Sequence, residues 1–362
     1  HGLSNMDISA LAQDHEGYVW IGTRIGLNRY DGTSFHVYQT ERNVISHKDI
    51  TCIFLDSQHN LWVGTRSGLN LYDRDHDRFI QFYHSASDSG TIDNNLIQSI
   101  YEDRSGTIWV GMFSGVAEMI RYGSVSDPQA FRFRNHTQLG DTSIHFSNWI
   151  YSICEDRKGN IWLGSFQNGV YRLNPRSKEV KNYPIVALEQ GLDYENMLKL
   201  WVRKVFLDKD SVLWVLLHLN QGLAKYSEAE DRFEKIRLQD EHRASSLSIT
   251  ANDVVVDSFN TFWLATDNGL RLHNFKTGYD RNYCYVKGVR NTISSFQTSN
   301  ILFDNNHGVW VGMTNDGINY TSRYQTSVDV IDNYRYDIMT MNSVRSLMFL
   351  KPDKIFISLH NW

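Results

Sequence analysis

The sequence predicts an all-β chain: a closed ring of seven blades, each a four-stranded sheet. Three observations predict it. Tryptophan recurs at positions 20, 62, 109, 162, 214, 263 and 310, at spacings of 42, 47, 53, 52, 49 and 47 residues. The same companions surround every one of these tryptophans. Between them lie short runs rich in β-branched and aromatic residues, bounded by Gly, Asn and Asp, which is strand punctuation. Four-stranded units of about 40–50 residues with one Trp each are the signature of a β-propeller blade.

Each element of the unit follows from its residues. The first strand carries an aliphatic nine positions before the Trp: Leu11, Ile53, Ile100, Ile153, Val205, Val254 and Ile301. An aspartate stands six positions before it, at Asp14, Asp56, Asp103, Asp156, Asp208, Asp257 and Asp304. Such a residue opens a turn, because its carboxylate accepts the turn N–H groups, and a Gly or Asn three residues later suits a conformation bulky residues resist. The aspartates are thereby structural, not catalytic.

The second strand holds the Trp, a large apolar plate between neighbouring sheets. A small residue two positions on, as in Gly22, Gly64, Gly111, Gly164 and Gly312, lets an adjacent backbone come close. The fifth and sixth units place Leu216 and Ala265 there. A Gly before an aliphatic, from Gly26-Leu27 to Gly317-Ile318, supplies a positive-φ residue for the next turn. In the second unit the four strands read "ITCIFLD", "LWVGT", "GLNLYD" and "RFIQFYH".

The tail departs from this plan. "SVRSLMFLKPDKIFISL" (Ser343 to Leu359) repeats the first two strands, with Phe356 at the Trp position and Leu350 in place of the aspartate. The expected organisation is therefore a seven-bladed propeller over 1–335 and, over 336–362, the first strands of a following propeller, truncated.

Composition narrows the function. The chain has 362 residues and a net charge of −5, with both signs mixed, so no basic footprint for nucleic acid stands out. The densest apolar run, "VLWVLLHL" from Val212 to Leu219, is too short to span a bilayer. Cys52, Cys154 and Cys284 form no CxxC pair and read as small buried hydrophobes rather than a metal or disulfide framework. No cofactor or metal site is expected. The start at His1, without an initiator Met or signal-peptide pattern, reads as a chain from which an N-terminal segment has been removed.

The pattern N-x-I-x-x-I-x-x-D-x-x-G-x-I-W-V-G-T-x-x-G-L-x-x-Y-D resembles the two-component regulator propeller repeat. "NNLIQSIYEDRSGTIWVGMFSGV" and "HGLSNMDISALAQDHEGYVWIGTRIGLNRYDG" carry it most fully. The resemblance implies the periplasmic sensor region of a hybrid two-component system, a histidine kinase and response regulator in one inner-membrane protein. It implies as partners a second propeller and an immunoglobulin-like domain of the same chain, and a homodimer in the full receptor. No kinase, receiver or DNA-binding motif lies in these residues, so this fragment is expected to bind rather than catalyse.

In a propeller the loops between strands two and three, and between successive blades, emerge on one face, where function collects. The former supply Arg24, Arg66, Phe113, Phe166, Gln167, His218, Asn220, Gln221, Asp267 and Asn315. Two tryptophans outside the repeat series, Trp149 and Trp201, each sit 13 residues before their repeat Trp. Aromatic faces stack on sugar rings, planar polar side chains bind hydroxyls, and the arginine fork pairs acidic groups. The candidate ligand site is accordingly Trp149, Trp201, Arg24, Arg66, Phe113, Phe166, Gln167, His218 and Asn220, for an oligosaccharide. Two competing readings are a propeller enzyme on glycans, a glycosidase or lyase, and a pure protein-interaction scaffold. A glycosidase needs two carboxylates about 5–10 Å apart. Outside the turn aspartates the loops offer mainly Asp267 and Asp316, and a lyase would rest on His218 as a lone base.

Overall fold

The computed structural model describes residues 2–39, 45–136, 149–166, 168–185, 201–218, 221–236, 250–287, 289, 292–322, 344–351 and 354–359. Strands dominate them because the sequence alternates short hydrophobic runs with Asp-, Asn- and Gly-bearing turns. Blade one is the antiparallel sheet β1 (Ile8–Gln13), β2 (Val19–Thr23), β3 (Gly26–Tyr30), β4 (Phe35–Tyr38). The next blades repeat it: β5 (Ile50–Leu55) to β8 (Arg78–Phe82), β9 (Ile97–Glu102) to β12 (Arg132–His136), and β13 (Ile150–Glu155) to β16 (Val180–Tyr183). Then come β17 (Val202–Leu207) to β20 (Arg232–Ile236), β21 (Ala251–Val256) to β24 (Asp280–Tyr283), and β25 (Thr298–Phe303) to β27 (Ile318–Thr321). The last of these has three strands among the described residues, the other six have four. Helix among the described residues is limited to 3-10 turns, at Pro128–Ala130 and at Gln221. The molecule is a seven-bladed β-propeller.

The first strands of successive blades, β1, β5, β9, β13, β17, β21 and β25, pack on one another in order, and β1 meets β25. Ring closure is thus blade seven against blade one. Ile8, Val19 and Ile21 share an apolar cluster with Trp310, and the Gly317 N–H donates to the Met6 carbonyl at 2.9 Å.

The repeated Asp and Trp form a clasp. Asp14 Oδ1 accepts the N–H groups of Glu16 and Tyr18, while Oδ2 accepts the indole N–H of Trp20 at 2.8 Å. The indole-to-carboxylate bond recurs in every blade, at 2.9 Å for Trp62, 2.8 Å for Trp109 and 2.7 Å for Trp162. It is 2.9 Å in each of Trp214, Trp263 and Trp310. The turn role was legible in sequence; the second bond, which ties the turn to the tryptophan plate, was not. The turn residue three after the aspartate has positive φ throughout, as Gly17, Gly106, Gly159 and Asn260 but also as His59, Ser211 and His307. Six of the seven tryptophans are buried and Trp263 is half-buried. They reach the next blade: Trp20 meets Tyr72 and Phe79, Trp162 meets Tyr226 and Phe233, and Trp310 meets Tyr30.

The small residue after the Trp receives the first residue of the next blade. A Cβ on Gly22 would stand 2.7 Å from Ile50 Cγ2, and one on Gly111 would stand 2.6 Å from the Ile150 carbonyl oxygen. Blade five carries Leu216 at this position, and the residue it faces shrinks: Leu216 shares a cluster with Ala251, which stands where Ile50 and Ile150 stand elsewhere. Side-chain volume is conserved across the interface although neither side is, as dense packing requires.

Cys52 and Cys154 lie in first strands, and burial pushes both thiols up to about 12. β28 (Val344–Lys351) and β29 (Lys354–Leu359) form a two-stranded antiparallel sheet with each other. The boundary expected at 335/336 lies outside the described residues.

Candidate functional site

The repeat register builds the mouth of the ring. In blades two to seven the residue four after the Trp donates its backbone N–H to the carbonyl of the residue thirteen before it. The pairs are Arg66–Asp49, Phe113–Leu96, Phe166–Trp149, His218–Trp201, Asp267–Thr250 and Thr314–Gln297, at 2.9–3.2 Å. These bonds place both residues at the same end of every blade, beside the innermost strand. Six such pairs therefore circle the axis, and Arg24 with Asp7, at the same offsets in blade one and joined through their side chains, makes the seventh. The sequence supplied the candidates one by one; their sevenfold equivalence becomes visible only when both offsets are counted from each Trp.

The circle is chemically uneven. Blades three to five form an aromatic arc. Phe113 meets Trp149 at 5.3 Å between ring centroids, and Trp149 meets Phe166 at 5.7 Å. Phe166 lies edge-on to Trp201 at 5.3 Å, and Trp201 meets His218 at 3.7 Å. Tyr151, on β13, bridges the two tryptophans at 5.6 Å and 4.8 Å. Phe113 is 43% exposed and the others are half-buried, so ring edges and faces reach solvent. The structure thus brings together five of the candidate residues, Trp149, Trp201, Phe113, Phe166 and His218. Gln167 and Asn220 lie outside the described residues.

Arg24 and Arg66 stand elsewhere on the circle, and each is already paired. Arg24 Nε donates to Asp7 at 2.5 Å, and Arg66 Nε lies 2.6 Å from Asp49. The hydrogen bond and charge of Asp7 raise the Arg24 pKa. Both arginines are more than half exposed, so these pairs contribute little stability, but an anionic ligand would have to displace a carboxylate at each.

Two residues that sequence reasoning missed complete the arc: Tyr151 and Arg203. Both lie eleven before their Trp, inside the innermost strand, where the pattern reads as ordinary strand alternation. The Arg203 guanidinium carbon sits 5.8 Å from the Trp201 ring centroid, and Nη1 donates to Asn252 Oδ1 at 2.5 Å. Burial lowers the Arg203 pKa, against the charges of Asp253 and Tyr151. Burial pushes the Tyr151 hydroxyl up to about 12, so it stays protonated and can donate. Burial, with the nearby Arg203 charge, lowers His218 from 6.5 to about 4, leaving a neutral imidazole at neutral pH. Among the described residues, Trp201 Nε1 and His218 Nδ1 are buried without a hydrogen-bond partner, as are the Ser9 and Ser299 hydroxyls of other innermost strands.

No group of three or more His, Cys, Asp or Glu residues suited to a metal ion occurs among the described residues. A polar cleft of about 210 Å³, lined by Asn160, Arg172, Asn174, Glu179 and Lys181, lies on blade four and contains none of the arc residues.

The two-component regulator propeller model matches residues 2–24, 45–67, 91–114 and 145–167, the stretches that run up to and past the first four repeat tryptophans. These four stretches match the two-component regulator propeller repeat. No curated protein matches the chain. Among solved structures the chain is similar to the extracellular domain assigned to the hybrid two component system BT3049 from B. thetaiotaomicron. That similarity has 20% identity and a TM-score of 0.71, over 98% of this chain and 45% of that one. A second such domain, of BT4673 from the same organism, gives 20% identity and a TM-score of 0.67, over 99% and 44%. The chain therefore spans less than half the length of these relatives. Virginiamycin B lyase from Staphylococcus aureus shares the ring at 13% identity and a TM-score of 0.61, over 89% of this chain and 97% of the lyase. At these identities the likeness is one of fold. Repeats five to seven lie outside the matched stretches, and blade five, with Leu216 in the glycine position, departs furthest from the pattern.

Proposed function

We propose that this propeller is the extracytoplasmic, ligand-sensing part of a hybrid two-component receptor and that it recognises an oligosaccharide at its mouth. The observation that carries the reading is the aromatic arc from Phe113 to His218. Five rings stand at equivalent positions of three consecutive blades, half-buried and open at one end of the ring. Carbohydrate C–H faces pack on such rings, the protonated Tyr151 hydroxyl is a polar group for a sugar hydroxyl, and the buried Trp201 Nε1 and His218 Nδ1 leave unmatched polar atoms beneath them. The repeat type and the length of the similar extracellular domains support a place in a longer chain, with a second propeller and an immunoglobulin-like domain beside it and the kinase beyond a membrane. Placement in the periplasm and pairing into a homodimer belong to the same proposal. Signalling then requires that the ligand favour one arrangement of the receptor over another, since equal affinity for both shifts nothing.

A glycan array on the chain, followed by titration calorimetry of the hits, tests this. Trp149→Ala and Trp201→Ala should each weaken binding by about 1–3 kcal/mol, the usual range for losing a large aromatic contact with its polar handle. Unchanged affinity in both folded variants would move the site off the arc. An activity assay on each bound glycan separates the sensor from a lyase that uses His218, and a blank array with a captured protein would favour the scaffold.

A further inference from the structure

Arg203 is set differently from the other arginines of the mouth. Arg24 and Arg66 each hold a carboxylate at 2.5–2.6 Å. Arg203 has no carboxylate within ion-pair reach among the described residues. Its charge meets an amide oxygen, that of Asn252, and the face of Trp201. The nearest acid, Asp253, is committed elsewhere: its Oδ1 accepts from Lys204 Nζ at 2.7 Å and its Oδ2 accepts the Ile301 N–H at 3.0 Å. A half-buried guanidinium without an ion-paired carboxylate loses solvation and gains little in return. The groups around it are mostly donors. Trp201 Nε1–H is buried and unmatched and the Tyr151 hydroxyl stays protonated, while the neutral His218 brings no charge of its own. An arginine beside unmatched donors and aromatic faces is a seat for an acceptor that carries negative charge.

We propose that Arg203 is the anion-reading residue of the mouth, seating the carboxylate or sulfate of an acidic saccharide unit whose ring lies on Trp201. The inference rests on the saccharide reading above and deepens it, by moving recognition of charge from Arg24 and Arg66 to Arg203. The paired arginines would have to give up an existing partner to bind an anion. Arg203, among the described residues, has none to give up.

Three probes of one backbone and linkage test it by calorimetry: a hexuronate-containing oligosaccharide, its carboxyl-reduced neutral counterpart, and that neutral form carrying one sulfate ester. The chain should prefer one of the two acidic probes over the neutral one by about tenfold or more, as a charged hydrogen bond implies. The tighter of the two identifies the anion. Arg203→Met, which keeps the apolar stem on Trp201, should collapse that ratio to about one, while Arg66→Met should leave most of it. A ratio that survives Arg203→Met, or is absent from the start, overturns the inference and leaves the saccharide reading standing. A chain that binds none of the probes refutes that reading. The anion seat is then decided by the ligand-free chain. There Arg203→Met should raise the thermal midpoint by about 2 °C or more, because removing a half-buried charge that no described carboxylate pairs stabilises. A lowered midpoint would show the arginine to be a packing residue and overturn the inference.

Discussion

Replacing Asp14 by Asn probes the Asp–Trp clasp at its most deeply buried copy. The Asp14 side chain has no exposed surface, and its two oxygens serve opposite sets of donors. Oδ1 receives the Glu16 and Tyr18 N–H groups at 3.1 and 3.0 Å, and Oδ2 receives the Trp20 indole at 2.8 Å. Asparagine has the same shape but only one acceptor atom. With its carbonyl toward the turn, its NH2 meets the indole N–H; turned over, its NH2 meets two backbone donors. One donor set is orphaned in either orientation, and an unmade buried bond costs about 1–3 kcal/mol, more when the lost acceptor was charged. Counting the orphaned donor and the unmatched amide hydrogen together, Asp14→Asn should cost about 2–4 kcal/mol. Asp14→Ala should cost about 3–5 kcal/mol, since it orphans all three donors. Arg74 also reaches Oδ2 at 3.3 Å but keeps Glu16 at 2.6 Å, so its loss adds little. Denaturant unfolding followed by tryptophan fluorescence, with midpoint and slope fitted together, reads the change. In a Trp20→Phe background, where the indole donor is gone, the Asn penalty should shrink by at least about 1 kcal/mol. An Asp14→Asn chain within about 0.5 kcal/mol of wild type would refute the two-sided acceptor argument.

Other predictions follow from the packing and the charges. Leu216→Gly should destabilise by about 3–5 kcal/mol, and Ala251→Ile alone should overpack by about 1–3 kcal/mol, whereas the double variant restores the glycine–isoleucine pairing of blades one to three. Recovery of most of the lost stability in the double variant, measured by the same unfolding assay, checks the volume rule. Burial raises the Glu118 pKa, but the hydrogen bond and charge of His136, with Lys178 and Arg134, outweigh it and leave the carboxyl below its usual 4.5. Its stabilising contribution is complete above pH 4.5 and is lost as pH falls through the lowered value, so Glu118→Gln should be less stable than wild type at neutral pH and equal to it in strong acid. His218 runs between 6.5 unfolded and about 4 folded, so the unfolded chain binds the extra proton in that window and stability falls as pH drops through it. His218→Leu should flatten the unfolding midpoint over that range. If the segment after 335 belongs to a following propeller, a chain ending there should unfold at an unchanged midpoint; a drop of several degrees would place that segment in this ring.

The sequence by itself determined the blade count, the strand order and the turn chemistry, because all three are local and said seven times. A Trp with an aspartate six before it and a glycine two after it repeats the same short-range physics in each unit, and repetition separates it from chance. It also determined which residue types stand at the mouth, since the offsets from each Trp place Trp149, Trp201, Phe113, Phe166 and His218 on one rim. Pairings between blades were decided by the tertiary structure. The second use of the aspartate, on an indole six residues away, needs the turn and the plate brought face to face. So do the matched Tyr–Asp knots, in which Tyr38 and Tyr72 of adjacent blades both donate to Asp77, and Tyr183 and Tyr226 both donate to Asp231. The exchange of Gly–Ile for Leu–Ala at one interface is likewise invisible along the chain, where Leu216 looks like a lapse in the pattern. The same holds for charge at the mouth: Arg24, Arg66 and Arg203 are alike as letters. Only the partner each one meets in space, a carboxylate for the first two and an amide and an indole face for the third, makes them differ.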